Sequence, residues 1–121
     1  MTLTECYEKL GGDYADVASR LPSASLVEKF IVRFLEDDSY ESLCRCLEQG
    51  NREEAFRAAH TLKGVCANLS FTLLRDSASR LTEVLRTEGD SVPAEAGELM
   101  SGVRDDYERT TGAIRAYLNE K

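Results

Sequence analysis

Residues 51–69 have the sequence NREEAFRAAHTLKGVCANL, in which apolar residues recur with the spacing of one helix face. Asn51 is a residue type that caps helix starts, and Glu53 and Glu54 follow in the first turn, where the helix dipole favours carboxylates. The segment therefore predicts a helix over 52–69. At about 100° of rotation per residue, its buried stripe consists of Ala55, Ala58, Leu62, Val65 and Leu69, with Ala59 and Cys66 at the edge.

Outward from this segment, the rest of the chain also shows helical patterns, and its two prolines fall between them. Two short N-terminal helices are predicted over 2–10, which Gly11 ends, and over 13–20, which Asp13 caps. The next helix is predicted over 23–35, with Ser23 or Ser25 as its cap, and another over 40–50 after an interruption at 37–39. Two later helices are predicted over 71–87, with Ser70 as the cap, and over 94–119.

Apolar stripes with steps of three and four residues, joined by short loops, are typical of helical bundles. No alternating pattern of the kind that predicts strands competes with them. We therefore expect an all-α fold: an antiparallel up-and-down four-helix bundle with short additional N-terminal helices, forming a single domain over residues 1–121.

Composition excludes several classes of function. The chain has 15 Lys and Arg against 22 Asp and Glu, and this net charge of −7 argues against nucleic-acid binding. It has no apolar run long enough to span a membrane and no N-terminal signal, so we expect a cytoplasmic protein without a membrane partner. Its four cysteines lack zinc-site spacing and are expected to be reduced, and no nucleotide-binding glycine motif occurs.

His60 is the only histidine of the chain, and it lies about 200° around the helix from Ala58, so it points toward solvent. Gly64, one turn later, costs roughly 1 kcal/mol relative to alanine in a helix interior, and no turn there requires a glycine. Lys63 places a cation within reach of any anion carried on the imidazole. The same outer face also carries Phe56, Arg57 and Ala67.

Each of these residues has an ordinary explanation when it is taken alone. A single surface histidine is commonly just a polar residue, and Lys63 could be one of many solvated lysines. Gly64 could permit close packing of a second helix, and Phe56 could lie beneath a neighbouring short helix. Their combination on one face of one helix favours a reactive site.

The segment from His60 to Leu69 resembles the signature H-x-L-K-G-x-x-x-x-L-G of histidine-containing phosphotransfer (HPt) domains, which shuttle phosphoryl groups in bacterial phosphorelays. The final glycine of the signature is replaced by Ser70. The resemblance implies that His60 is phosphorylated, that Lys63 stabilises the phosphoryl group, and that Gly64 gives the partner steric access. It further implies a docking face for the partner at Phe56, Arg57 and Ala67.

The resemblance also implies the partners of the chain. Phosphoryl transfer needs cations around the transferred group, and the sequence offers only Lys63 and Arg57 near His60, with no carboxylate cluster for a metal. Receiver domains of response regulators or hybrid histidine kinases are expected to supply the acidic pocket and Mg²⁺. The chain itself is expected to be a monomeric phosphocarrier, not an enzyme, with no cofactor, metal or ATP site of its own.

Three alternatives are weighed against this interpretation. The first is a four-helix-bundle scaffold or adaptor whose histidine is never phosphorylated, because this fold supports many functions. The second is the phosphorylated domain of a chemotaxis-type kinase, and the third is a dimerising kinase helix pair. The chemotaxis-type kinase would require a catalytic domain after Lys121. Met1 favours a free-standing protein, and a piece of a larger sensor protein stays the alternative.

Overall fold

The structure is a computed structural model that describes residues 1–120, and this part of the chain holds seven α-helices and no strand. The helices are α1 (Leu3–Leu10), α2 (Tyr14–Arg20), α3 (Ala24–Phe34), α4 (Ser39–Glu48), α5 (Arg52–Leu69), α6 (Thr72–Leu85) and α7 (Ala96–Asn119). The predicted all-α class is confirmed. Lys121, the last residue of the predicted domain, lies outside the described residues.

Four helices begin at a residue whose side chain accepts a hydrogen bond from a backbone N–H of the first turn: Thr2, Asp13, Ser23 and Asn51. Ser23, and not Ser25, is therefore the cap of α3. At the other end of α1, Gly11 adopts the left-handed conformation at φ 78°, which glycine takes without steric cost. These local signals explain why the observed boundaries follow the predicted ones closely.

The bundle is formed by α5, α6, α7 and the interrupted pair α3 and α4. Helix α5 packs between α4 and α6, and α6 packs on α7, which also carries α1 on its surface. Helices α3 and α4 reach α7 through aromatic rings: Phe34 lies 6.0 Å from Tyr107, and Tyr40 stacks on Tyr107 at 3.8 Å. None of the helices in residues 1–120 is both long enough and apolar enough to cross a membrane.

The buried stripe of α5 is rotated from the predicted one. Val65, predicted to be buried, is only half-buried, whereas Ala59 and Cys66, predicted at the edge, are completely buried. Val65 lines an open groove between α3 and α5, a placement that a pattern within α5 alone does not encode. Burial raises the pKa of the Cys66 thiol well above its usual range, and all four cysteines are free.

Ser70 ends α5 instead of capping α6, which corrects the prediction. It is the one described non-glycine residue with a positive φ, at 59°, a conformation that favours glycine. Its hydroxyl donates to Asp16 Oδ2 and accepts from Arg20 Nη2, both at 2.7 Å. The residue that precedes α6, Phe71, makes no side-chain cap. Ser70 thus occupies the position where the signature has glycine, and the network with α2 holds it there.

Arg20 connects α2 to the C-terminal end of α5. Its Nη2 donates to the carbonyl oxygen of Asn68 at 2.8 Å, one of the carbonyls that helix ends leave without a partner. Its Nη1 pairs with Asp16 Oδ2 at 2.8 Å, and hydrogen bonds from Arg20 and then Ser70 lower the pKa of the Asp16 carboxyl. Helix α2 therefore fastens the C-terminal end of α5.

We expect Arg20→Ala to lower the free energy of unfolding by about 1 kcal/mol, because the end of α5 loses a charged donor. Ser70→Gly in that background should restore about 1 kcal/mol, because glycine adopts the left-handed conformation without strain. In the wild-type background, Ser70→Gly should raise the free energy of unfolding by less, because it also removes the hydroxyl that bonds to Asp16 and Arg20. Urea denaturation followed by circular dichroism measures the four free energies, and strictly additive effects would contradict this account.

Candidate functional site

His60 lies near the middle of α5 and is exposed, so the prediction that it faces away from the core is confirmed. No side chain of residues 1–120 forms a hydrogen bond or ion pair with its imidazole. The ring contact observed is with Phe56, one turn earlier, whose ring centroid lies 6.0 Å away at an interplanar angle of 20°. Both ring nitrogens are therefore free of competing partners within this part of the chain.

Small residues leave the helix face open beyond His60. Gly64 and Ala67 follow one and two turns later, and both are exposed. A Cβ atom added to Gly64 would meet no heavy atom within 4 Å. Close packing of another helix of this chain is therefore not the reason for Gly64, and the space above it is open to an external molecule.

The cations around His60 differ in whether they are already paired. Lys63 is half-buried and has no ion pair within the described part of the chain. Arg57 bonds to two carboxylates of its own helix, with Nη2 3.0 Å from Glu53 Oε1 and Nη1 3.2 Å from Glu54 Oε1. Lys63 is therefore the available cation beside His60, and Arg57 adds less positive potential than the sequence suggested.

Phe56 is half-buried against the end of α6, and not beneath a short helix. The guanidinium carbon of Arg86 lies 5.0 Å from the Phe56 ring centroid, within the range of a cation–π contact. Arg86 Nη2 also pairs with Glu83 Oε1 at 3.3 Å. Sequence analysis missed Arg86. The signal that could have located it is the antiparallel pairing of α5 and α6, which places the end of α6 beside the start of α5.

Two of the grooves on the surface have residues of α5 in their lining. One, of about 470 Å³, lies between the start of α5 and the segment after α6, and Arg52 in its lining donates to the Leu85 and Gly89 carbonyl oxygens. The other, of about 210 Å³, lies between α3 and α5 and has an apolar lining that includes Phe30 and Val65. His60 lines neither groove.

The site offers a nucleophile and a cation but no group of acids around a metal. Within residues 1–120 there is no cluster of three or more His, Cys, Asp or Glu side chains that could hold a metal ion. The carboxylates one to two turns before His60, on Glu53 and Glu54, are engaged by Arg57. Such an arrangement presents an exposed imidazole with a lysine beside it.

Comparison with known families agrees with this geometry. A family model, the Hpt domain, matches residues 26–117, which cover α4, α5 and α6 and most of α3 and α7, including His60, Lys63 and Gly64. Helices α1 and α2 lie before the matched residues. No curated protein and no solved structure matches the chain. The Hpt match covers well over half of the sequence, and the chain therefore belongs to the Hpt domain family, the phosphocarrier domains of two-component systems.

Proposed function

We propose that this chain is a phosphorelay intermediate that accepts a phosphoryl group on His60 and passes it to receiver-domain aspartates of response regulators or hybrid histidine kinases. The observation that carries the proposal is the exposed, unbonded imidazole beside the open space above Gly64, in a member of the Hpt family. As a relay component it works as a monomer in the bacterial cytoplasm, where its receiver partners are.

The transfer step needs one nucleophilic nitrogen and a good leaving group. Histidine is largely neutral at pH 7, and a neutral imidazole carries a lone pair on one nitrogen and a proton on the other. That lone pair forms the N–P bond with the phosphorus of a receiver aspartyl phosphate, and the P–O bond to aspartate breaks. The carboxylate leaves with the electron pair, and the proton on the other nitrogen stays on the ring. The reverse step returns the phosphoryl group to an aspartate.

Charge on the three equatorial oxygens has to be stabilised during this transfer. Lys63, the cation beside His60 without an ion pair among the described residues, supplies one positive charge from this chain. The receiver domain supplies the remainder, a bound Mg²⁺ and the acidic pocket that holds it. On this proposal, the metal site belongs to the receiver domain.

Docking places the receiver against the outer face of α5. Gly64 and Ala67 leave space for the rim of the receiver's pocket to approach the imidazole. Phe56 and Arg57 extend this face on the other side of His60 with an apolar ring and a guanidinium. Because the Arg57 ion pairs are exposed and contribute only ~0–1 kcal/mol, Arg57 can exchange them for an acidic group of the partner.

Phosphorylated receiver domains are expected to label the wild-type chain with acid-labile, base-stable phosphate, the behaviour of a phosphoramidate. His60→Gln removes the nucleophile at an exposed position, so the label should disappear while the far-UV circular dichroism stays unchanged. Labelling is followed with radioactive phosphate on gels. A label that persists in His60→Gln excludes the proposed site, and a wild-type chain that no receiver labels favours an adaptor.

Lys63→Ala should slow transfer roughly 10- to 100-fold. This reduction is smaller than the one caused by removing a fully desolvated hydrogen-bond donor to an oxyanion. The matched control is Lys29→Ala, which removes the same charge from an exposed lysine of α3. Rapid-quench kinetics with one phosphorylated receiver compare the two variants. Equal rates for both would show that Lys63 acts only through the net charge of the chain.

Gly64→Gln should reduce transfer from a receiver by at least about tenfold, because a side chain then fills the space the partner needs. Gly112→Gln is the matched control, since Gly112 is also an exposed helical glycine whose added Cβ would meet nothing within 4 Å. Both changes improve helix propensity alike, by roughly 0.5–1 kcal/mol. Phosphoramidate, a small donor, should still label both variants. If only Gly64→Gln loses this labelling, the role of Gly64 is not to permit docking.

A further inference from the structure

The imidazole of His60 has no hydrogen bond that fixes its orientation. Reactive histidines are ordinarily oriented by a hydrogen bond from the second ring nitrogen to a carboxylate or a carbonyl. Within residues 1–120 no such partner exists for His60, and the ring contact that it makes is with Phe56 at 6.0 Å and 20°. The Phe56 ring is therefore the side-chain group observed in contact with this imidazole.

Phe56 is in turn held from the neighbouring helix. The Arg86 guanidinium lies 5.0 Å from its ring centroid, and an ion pair with Glu83 keeps that guanidinium on α6. The end of α6 is itself fastened to the start of α5, because Arg52 Nη1 donates to the Leu85 carbonyl oxygen at 2.7 Å. A continuous series of contacts therefore runs from α6 through Phe56 to the imidazole.

We infer that Phe56 and Arg86, called here the Phe56–Arg86 pair, position the His60 imidazole so that its reactive nitrogen points outward for in-line attack. The inference rests on the proposed function. Phe56 acts through His60 and is a positioning residue. An imidazole free to rotate would spend part of its time with the wrong edge toward the phosphorus, and misplacement of reacting groups is costly in transfer rate.

A docking contact and a positioning contact make different kinetic predictions. If Phe56 only touches the receiver, its loss raises the receiver concentration needed for half-saturation and leaves the maximal rate unchanged. If Phe56 also positions the imidazole, its loss lowers the maximal rate at saturating receiver, where weaker docking alone has no effect. The two roles are therefore separable in one titration.

The kinetic experiment measures transfer from a phosphorylated receiver, chosen because it labels the wild-type chain, over a range of receiver concentrations. Phe56→Leu should lower the maximal rate roughly tenfold, and Phe56→Tyr, which keeps the ring, should recover most of it. Arg86→Gln should lower the rate about two- to fivefold, the factor that a cation–π contact at an exposed site supplies. The matched control is Arg80→Gln, which removes the same charge from an exposed arginine of α6 and should leave the rate unchanged.

A second measurement follows the ring directly in the unphosphorylated chain. Because the chain has one histidine, its imidazole carbon–proton resonances are assigned without ambiguity. A ring-current shift from Phe56 should be present in the wild type, absent in Phe56→Leu, reduced in Arg86→Gln and unchanged in Arg80→Gln. Circular dichroism verifies that every variant is folded.

The outcomes separate this inference from the proposed function. Three results would each overturn the positioning role: a wild-type maximal rate in Phe56→Leu, a change confined to the half-saturating concentration, or an imidazole resonance that does not respond to Phe56→Leu. Phosphotransfer through His60 would stand in each case. A wild-type chain that receives no label overturns the proposed function, and the resonance measurement still decides whether the Phe56–Arg86 pair orients the ring.

Discussion

Burial of one narrow stripe of α5 between α4 and α6 fixes the direction of every residue at the site. Ala59, Leu62 and Cys66 are fully buried, and a helix that buries these positions has to turn His60 toward solvent. The small side chains at Ala55 and Ala59 also let the flanking helices approach closely without covering the outer face. The outward geometry of the reactive residue is thus a consequence of core packing and does not depend on a separate loop or lid.

The N-terminal helices extend this rigid support beyond the segment that defines the family. The Hpt match begins at residue 26, yet the end of α5 is held by residues that precede it. Arg20 donates to a carbonyl at the end of α5, and Tyr7 donates from its hydroxyl to the Leu69 carbonyl oxygen at 2.8 Å. The departure of Ser70 from the signature glycine is compatible with the fold because Asp16 and Arg20 bond its hydroxyl.

Most of the fold and the direction of His60 were predictable from sequence because they depend on local signals. A capping side chain such as Asn51 and a periodic apolar stripe act within a few residues, so each can be recognised without the rest of the molecule. The errors concern residues whose state is set by distant neighbours. Val65 is half-buried because it lines an open groove beside α3, and Arg86 meets Phe56 only after α5 and α6 pair. The contacts of long, flexible side chains depend on which residues the tertiary fold brings near, and the spacing of residues along the sequence does not specify those contacts.

On the proposed function, the pairing of the arginines bears on how the chain would pass on the phosphoryl group. A carrier that held its phosphoryl group with several free cations would stabilise the phosphorylated state itself and raise the barrier to the next transfer, since only differential stabilisation of the transition state accelerates it. In this chain the Arg57 and Arg86 guanidiniums are already paired with Glu53, Glu54 and Glu83, and the unpaired cation beside His60 is Lys63. On the proposed function, phosphorylated His60 would be stabilised weakly by its own domain, and strong stabilisation would arise only in the complex, where the receiver adds its metal ion. Transfer would then depend on docking, and the same exposed imidazole would serve as acceptor with one receiver and as donor with another.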